Sequence, residues 1–277
     1  MLELRCPDLD AALATFEALG FRVDAVIPAD DPQRIAVSRG DVHVELVRVP
    51  AEPAPPPPPL DVPPLAPALV VTRAHGEAGW HTGRAGMQYR DLIPDRLGGW
   101  LVASHIRIPD GGPVPDYVHF HAIRFQIIYC RAGWVRLVYE DQGEPFVMRA
   151  GEVVVQPPTI RHRVLESSPG LEVIELSCPA VHATYADHEL ALPLGRRERA
   201  WGDQRFHCGA LAGLADATGG LVRAGHGDGV GFGFVLEGRA RLATGGQTFD
   251  LERDDAFAIP PGQPYEASGE LLVLTVR

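Results

Sequence analysis

The composition of this 277-residue chain is typical of a soluble globular protein, because 45% of its residues are hydrophobic and 22% are charged. A chain of this length can bury two substantial cores, so we expect two domains and a smaller appendage. The net charge of -11, without a basic cluster, argues against a nucleic acid or an anionic membrane surface as the partner. No apolar run reaches the roughly 18 residues of a membrane-spanning helix. The N-terminal segment lacks the basic start of a secretory signal, so a cytoplasmic location is expected.

The first residues of the chain predict a small α+β unit. Asp8 is placed to cap a helix over about residues 9–19, and Gly20 provides a stop. Strand-like segments follow at 21–27, 34–39 and 42–49. The segments PDLDAALATFEALGF and HVELV resemble half of a glyoxalase-type (vicinal oxygen chelate) module, in which Glu45 matches a ligand position. This resemblance implies a packing or dimerisation role for residues 1–49, and we expect a homodimer.

A proline-rich segment follows this unit. Residues 50–68 contain APPPPPLDVPP. Proline neither continues a helix nor pairs within a central strand, so this segment is expected to form an extended polyproline II spacer. Beyond it, apolar alternation between Gly, Pro and Asp turns is typical of an all-β sandwich or barrel.

An internal repeat indicates that one barrel is duplicated. FQIIYCRAGWVRL aligns with FGFVLEGRARL, which places Gly133 over Gly238 at an offset of 105. Pro157 then falls against Pro260 at an offset of 103, a shift of only two residues. We therefore predict a first barrel over 69–190 and a second over 191–277.

Two histidines in the first repeat lie two residues apart, in the segment PVPDYVHFHAIRFQ. On one strand, the imidazoles of His119 and His121 point to the same face. Gln126 follows after a stretch in which the chain can turn, and His162 follows the turn-forming sequence QPPTIR. Three neutral nitrogens and an amide oxygen suit transition metals better than calcium or magnesium.

These residues resemble the motifs of the cupin superfamily. The first motif is glycine, five residues, HxH, four residues, glutamate, six residues, glycine. His119, His121 and Gly133 fall in this register, and Gln126 occupies the glutamate position. The second motif is matched by Gly151, Pro157 and His162.

The resemblance implies a mainly β fold, with two tandem cupin-type β-barrels (double-stranded β-helix or jelly roll) preceded by the small α+β unit, which makes the chain a bicupin. It also implies one divalent transition metal per chain, zinc, manganese, nickel or iron, on His119, His121, Gln126 and His162. In the second repeat the matching positions are Ala224, His226, Gly231 and Tyr265. One ligand of four does not hold a metal tightly, so we expect a degenerate second barrel.

Other residues near the ligands are candidate catalytic or substrate-binding groups. Alternation places Tyr117 on the face of His119, where it could donate a hydrogen bond or relay a proton. Arg124 lies close to the ligands along the chain, and His105 could face the cavity from one strand earlier. An anionic substrate could be clamped at the barrel mouth by Arg84, Arg90 and Arg96.

The replacement of glutamate by Gln126 leaves the metal site near a charge of about +2, which favours an anionic substrate oxygen. The sequence therefore favours a metal-dependent enzyme that acts on a small oxygenated organic anion by Lewis-acid chemistry, as an isomerase, a cyclase or a lyase. A non-haem Fe(II) dioxygenase is the alternative, since a neutral histidine-rich site can hold iron, a bidentate substrate and oxygen together. A non-catalytic sensor or small-ligand binding protein is the third hypothesis.

Overall fold

The computed structural model describes residues 2–50 and 60–277. The chain divides into two units, Met1–Pro58 and Pro59–Arg277. Residues 51–59 of the predicted proline spacer lie outside the described residues. Among the helices of the described residues, none has the length and apolar character that a membrane span requires.

The N-terminal unit is a four-stranded sheet with one helix against it. Its elements are β1 (Leu2–Cys6), α1 (Leu9–Ala18), β2 (Arg22–Ile27), β3 (Arg34–Arg39) and β4 (Val42–Arg48). The strand order is β1-β4-β3-β2, in which only β1 and β4 are parallel. The Asp8 carboxylate accepts a hydrogen bond from the Ala11 amide and caps the helix, as its position in the sequence predicts.

Glu45, which matches a ligand position of the glyoxalase-type module, is engaged in an ion pair. Its carboxylate lies 2.6 Å from the Arg34 guanidinium on β3, and this hydrogen-bonded partner lowers the pKa of Glu45. A carboxylate held in this way is less available to a metal ion. The glyoxalase-type resemblance therefore stays a prediction.

The second unit is almost entirely β-structure. In chain order its first strands are β5 (Val70–Thr72), β6 (His81–Thr82), β7 (Gln88–Asp91), β8 (Val102–Ile108), β9 (Gly112–Pro113), β10 (His119–His121), β11 (Phe125–Ala132), β12 (Trp134–Tyr139), β13 (Phe146–Arg149), β14 (Val153–Gln156), β15 (His162–Ser167), β16 (Leu171–Cys178) and β17 (Thr184–Ala186). The remaining strands are β18 (Ala200–Trp201), β19 (Gln204–Arg205), β20 (His207–Gly209), β21 (Val222–Ala224), β22 (Val230–Thr244), β23 (Gln247–Glu252), β24 (Ala256–Ile259) and β25 (Tyr265–Val276). Short helical turns occur at Arg84–Gly86, α2 (Arg96–Gly99), Leu211–Gly213 and α3 (Leu214–Ala217).

The first barrel is formed by two sheets that enclose a cavity. One sheet has the order β13-β12-β15-β10-β17, with β9 beside β15, and the other has the order β20-β14-β11-β16-β8-β7-β6. Inward-facing residues from both sheets line the same cavity. This arrangement is a jelly-roll sandwich, in agreement with the mainly β fold predicted from the sequence.

The second barrel is formed by one sheet built around two long strands. Its order is β21-β25-β22-β24-β5, with β23 also paired to β22. The two repeat glycines share a left-handed backbone conformation, since Gly133, between β11 and β12, has φ 76° and Gly238, at a register shift within β22, has φ 66°. Two short strands each pair with a strand of the other predicted barrel range. β5, from the first range, pairs with β24, and β20, from the second range, pairs with β14.

Part of the predicted proline spacer is packed against the second unit. Residues 60–68 form neither helix nor strand. Val62, Leu65 and Ala68 nevertheless contact its main hydrophobic core, and the Ala66 amide donates to the Leu97 carbonyl at 3.0 Å. These residues are therefore part of the unit and do not form a free spacer.

Aromatic rings fill the interior of the second barrel. Tyr265, which corresponds to His162 in the repeat, lies against His226 with ring centroids 4.4 Å apart. A Cβ atom on Gly231 would lie 2.9 Å from the Tyr265 ring, and one on Gly233 would lie 2.0 Å from the Phe257 ring. The two glycines make room for rings in this barrel, which explains how its sequence keeps the fold while its ligand positions diverge.

We expect Gly233→Ala to lower the free energy of unfolding by about 1–3 kcal/mol, because an added methyl group overpacks a tight core. Urea unfolding measures this change. Gly195→Ala is the matched control, since a Cβ at Gly195 meets no atom within 4 Å. Equal stability of the two variants would contradict the close packing of this barrel.

Candidate metal centre

Three histidines converge inside the first barrel. The antiparallel pairing of β10 with β15 sets His119 directly opposite His162, and His121 lies on the same face of β10 as His119. One potential ligand nitrogen from each histidine lies within 4.8 Å of the others. All three side chains are buried. The spacing of two residues therefore produces the shared face that the sequence predicts.

Backbone carbonyls orient two of these rings. His119 Nδ1 lies 2.8 Å from the Tyr117 carbonyl, and His162 Nδ1 lies 3.1 Å from the Ile160 carbonyl. A carbonyl only accepts, so each Nδ1 carries the hydrogen and each Nε2 keeps its lone pair. His119 Nε2 is buried without a hydrogen-bond partner among the described residues. An oriented imidazole with an unpartnered inner nitrogen fits a metal ligand, because metal-bound histidines are held in this way.

The third ring, His121, has its Nδ1 atom 2.9 Å from Thr184 Oγ1. Burial lowers the pKa of His119, and it lowers the pKa values of His121 and His162 well below the ordinary value for histidine. Burial therefore favours neutral imidazoles, which is the form that binds a metal. The donor set thus fits a divalent transition metal.

Gln126 lines the same cavity from the opposite sheet. It lies on β11, between Gln156 on β14 and Ser177 on β16. Gln156 Nε2 donates to Gln126 Oε1 at 2.7 Å, and the Tyr139 hydroxyl donates to Gln156 Oε1 at 2.6 Å. The orientation of the Gln126 amide is therefore set by neighbouring side chains.

His121 and His162 line a cavity of about 390 Å³, whereas His119 lies behind its wall. This volume lies in the range of about 300–1,000 Å³ typical of small-molecule sites. Its walls are mostly apolar and include Met87, Ile106, Ile128, Leu137, Met148 and Val173. Such walls suit a ligand with a hydrocarbon body, a feature that the ligand motif alone does not predict.

Two polar residues that the sequence analysis missed also line the cavity. Glu175 lies on β16, opposite Ile128, and accepts a hydrogen bond from Ser177 Oγ at 3.2 Å. Burial raises the pKa of Glu175, while nearby His182 and hydrogen bonding from Gln126 and Ser177 act in the opposite direction. The alternation in LEVIELSCP contains the signal for Glu175, because a charged residue there shares a face with Val173 and Ser177.

The second missed residue is His182. Its Nδ1 atom lies 2.9 Å from the Pro179 carbonyl, so Nδ1 carries the hydrogen and Nε2 can accept a proton. Its ring centroid is 5.5 Å from that of His121. Because His182 lies in a loop beyond β16, no strand alternation in the sequence could place it.

Comparison with known proteins agrees with this architecture. The family model for the cupin domain matches residues 217–270. A variant of oxalate decarboxylase from Bacillus subtilis has a TM-score of 0.54 at 13% identity, over 86% of this chain and 85% of that chain. The chain has the cupin fold. A variant of salicylate 1,2-dioxygenase from Pseudoaminobacter salicylatoxidans has a TM-score of 0.52 at 14% identity, over 78% of this chain and 85% of that one. A search of curated proteins found no match.

The family model matches the second barrel of this chain, whereas the three histidines lie in the first. A further solved structure, from a study of the Mn(II) centres of Bacillus subtilis oxalate decarboxylase, has a TM-score of 0.51 at 12% identity over 70% of this chain and 74% of that one. At these identities the likeness concerns the fold, so any ligand set assigned to this chain rests on its own geometry.

Two predicted catalytic residues lie outside the lining of the cavity. Tyr117 is 42% exposed, and its ring lies between those of His188 and His119, with centroid distances of 5.6 and 5.9 Å. Tyr117 precedes β10, so the alternation of that strand does not extend to its side chain. Arg124 lies between β10 and β11, where its amide donates to the Cys178 carbonyl at 2.7 Å.

The third predicted catalytic residue, His105, lies where the two barrels meet. Its Nε2 atom is 2.9 Å from Glu172 Oε2, and its ring packs against Phe234 of the second barrel. Arg131 bonds to Glu172 and also to Asp254, at 2.8 Å. The pKa of Glu172 is lowered to about 2, mainly by its hydrogen bond with His105. These contacts indicate a structural role for His105.

The three candidate clamp arginines are separated by the fold. Arg84 lines the cavity and pairs with the buried carboxylate of Asp116. Arg90 contacts His105 at 3.1 Å, and Arg96 pairs with Asp91 at 2.9 Å. Only Arg84 of these three is therefore placed to meet a ligand in the cavity.

We expect His121→Ala to lose most of its metal after equilibration with Zn²⁺ or Mn²⁺, because it removes one of three oriented nitrogens. Elemental analysis after gel filtration measures the stoichiometry. His105→Gln is the matched control, a substitution of another buried histidine that should keep the metal. Full metal content in His121→Ala would contradict the proposed ligand set.

Proposed function

We propose that this cupin is a metal-dependent enzyme whose first barrel holds one divalent transition metal on His119, His121 and His162, with Gln126 as the fourth ligand. The observation that carries this proposal is the convergence of three oriented, buried imidazoles, one of which has an unpartnered Nε2. Neutral nitrogen donors suit zinc, manganese, nickel or iron. The similar oxalate decarboxylase and its Mn(II) centres support a metal at this kind of site.

The proposed substrate is a small organic anion with an apolar body. The hydrocarbon part would pack against the apolar walls, which removes it from water. Arg84 would bind the anionic end, because Asp116 fixes its guanidinium beside the cavity and leaves further N–H groups free to donate. The substrate predicted from the sequence was a small oxygenated anion, and the cavity adds the apolar body.

The proposed reaction is a non-redox proton transfer of the isomerase, cyclase or lyase type. A bound metal supplies a Lewis acid that polarises a substrate oxygen. His182 Nε2 is the group placed to accept a proton, since Nδ1 is held by the Pro179 carbonyl and the ring lines the cavity. The apolar walls exclude water and so strengthen the contacts of Arg84 with an anion.

A dioxygenase is the second candidate function. The observation that favours it is the composition of the cluster, which among the described residues consists of three histidines without a carboxylate. These neutral donors suit Fe(II) together with an anionic substrate. The similarity to salicylate 1,2-dioxygenase supports this candidate too. The two candidates differ in whether oxygen is consumed.

Oxygen consumption separates the two reaction classes. We expect the protein, purified without a metal-chelating tag, to contain zinc, manganese or nickel and to consume no oxygen when a panel of organic carboxylates is added. Elemental analysis and an oxygen electrode measure both properties. Substrate-dependent oxygen uptake by an iron-loaded sample would overturn the Lewis-acid proposal in favour of the dioxygenase.

Arg84→Gln should weaken the binding of apolar monocarboxylates by about 10–100-fold, because a charge-assisted hydrogen bond contributes about 1.5–3 kcal/mol. Calorimetric titration of the metal-loaded protein with benzoate and its longer homologues measures this loss. Arg96→Gln is the control, since Arg96 pairs with Asp91 and does not line the cavity. Equal affinity in Arg84→Gln and the wild type would show that Arg84 does not bind the anion.

A further inference from the structure

Polar and apolar side chains are segregated along four of the strands that line the cavity. On each strand, the lining residue closest to the end that carries the histidines is polar, and the lining residues beyond it are apolar. The polar residues are Gln126 on β11, Tyr139 on β12, His162 on β15 and Glu175 on β16. The apolar residues, in the same strand order, are Ile128, then Leu137 and Val135, then Val164, and then Val173 and Leu171.

Antiparallel pairing brings the polar ends of these strands together. Tyr139 on β12 pairs with His162 on β15. Gln126 on β11 pairs with Ser177, near the last residue of β16. The cavity is therefore polar at the end of the barrel that holds the histidines, and its walls become apolar with depth along all four strands.

Val135 and Leu171 lie at the far end of these strands, and we call this pair the floor. Each is four residues from the polar residue of its own strand, Tyr139 or Glu175, which is about 13 Å at about 3.3 Å per residue. Both side chains are buried. The two strands thus place an apolar floor at a common depth.

The barrel is closed beside the floor by turns that are hydrogen-bonded to one another. The Ser168 amide donates to the Trp134 carbonyl at 2.9 Å, and the Trp134 amide donates to Ser168 Oγ at 3.0 Å. The Gly170 amide donates to the Pro109 carbonyl at 2.9 Å. These bonds join the turns that follow β8, β11 and β15, so a ligand cannot extend past the floor without displacing them.

Solvent reaches the cavity between two edge strands. Thr184 on β17 lines the cavity, is exposed, and lies 2.9 Å from Nδ1 of His121 through its Oγ1 atom. His81 on β6 is also exposed and lines the cavity from the edge of the other sheet, beside Tyr89. A ligand that enters here meets polar groups first, and its hydrocarbon part is buried only toward the floor.

We propose that the substrate is an organic anion with a hydrocarbon tail, and that Val135 and Leu171 set the length of tail that the site accepts. This inference rests on the proposed function, in which Arg84 binds the anionic end. Arg84 belongs to the polar end, because its partner Asp116 lies 3.6 Å from His119 Nδ1. Each methylene buried along the apolar walls favours binding until the tail meets the floor.

Straight-chain carboxylates from acetate to decanoate test this proposal. Calorimetric titration of the metal-loaded protein gives a dissociation constant for each member of the series. We expect the affinity to rise about fourfold with each added methylene, the gain from burying that much apolar surface. It should then fall once the tail is longer than the depth of the cavity, because the excess must stay in water or displace the floor.

Substitutions of the floor should move this preferred length. Val135→Ala should move it to a longer carboxylate, since it opens space at the apolar end, and Leu171→Phe should move it to a shorter one. Val164→Ala is the matched control, because it removes the same two methyl groups from the lining beside His162 and should leave the preferred length unchanged. Thermal unfolding shows that each variant is folded at the temperature of the titration.

The outcomes distinguish this inference from the proposed function. An affinity that does not depend on chain length, or a preferred length that is the same in both floor variants as in the wild type, would overturn the role of the floor. Binding of the anion at the polar end would still stand in those cases. If the metal-loaded protein bound no member of the series, the proposed substrate class would fail together with this inference.

Discussion

The proposed metal centre depends on the register between β10 and β15, which sets His119 against His162. These residues are far apart in the sequence, and only this antiparallel pairing brings their rings to a centroid distance of 4.2 Å. A slip of one residue would turn His162 to the other face of the sheet. The carbonyls of Tyr117 and Ile160 then fix the rings, so the same short segments supply both the proposed ligands and the groups that orient them.

The sequence predicts those parts of the site that follow from local spacing. A spacing of two positions is enough to place His119 and His121 on one face, and the apolar alternation is enough to predict an all-β sandwich or barrel. The jelly-roll architecture is what the cupin resemblance adds. Tyr117 shows the limit of this reasoning, because alternation holds only within a strand and β10 begins at His119. His105 shows a second limit. Its neighbours Arg90, Glu172 and Phe234 come from distant segments, so a structural role at the contact between barrels has no local signal.

The two barrels show that fold and ligand set vary independently. The family model matches the second barrel, where Tyr265 and Phe257 occupy space that Gly231 and Gly233 leave open. Turn residues and alternating apolar positions are sufficient for that fold. The proposed ligands of the first barrel are a separate requirement, because they need burial and oriented hydrogen-bond partners. At the matching positions of the second barrel, aromatic rings are packed instead.

Asp116 contacts both Arg84 and His119. Its buried carboxylate pairs with Arg84, accepts from the Val164 amide at 2.9 Å and lies 3.6 Å from His119 Nδ1. The negative charge of Asp116 offsets the charge of Arg84 while holding it at the cavity, so Arg84 adds directional hydrogen bonds more than net positive charge. Glu175 lies in the other sheet, on β16, where it lines the same cavity. An anion bound beside Arg84 would therefore meet directional donors at its charged end, and these would orient it along the cavity.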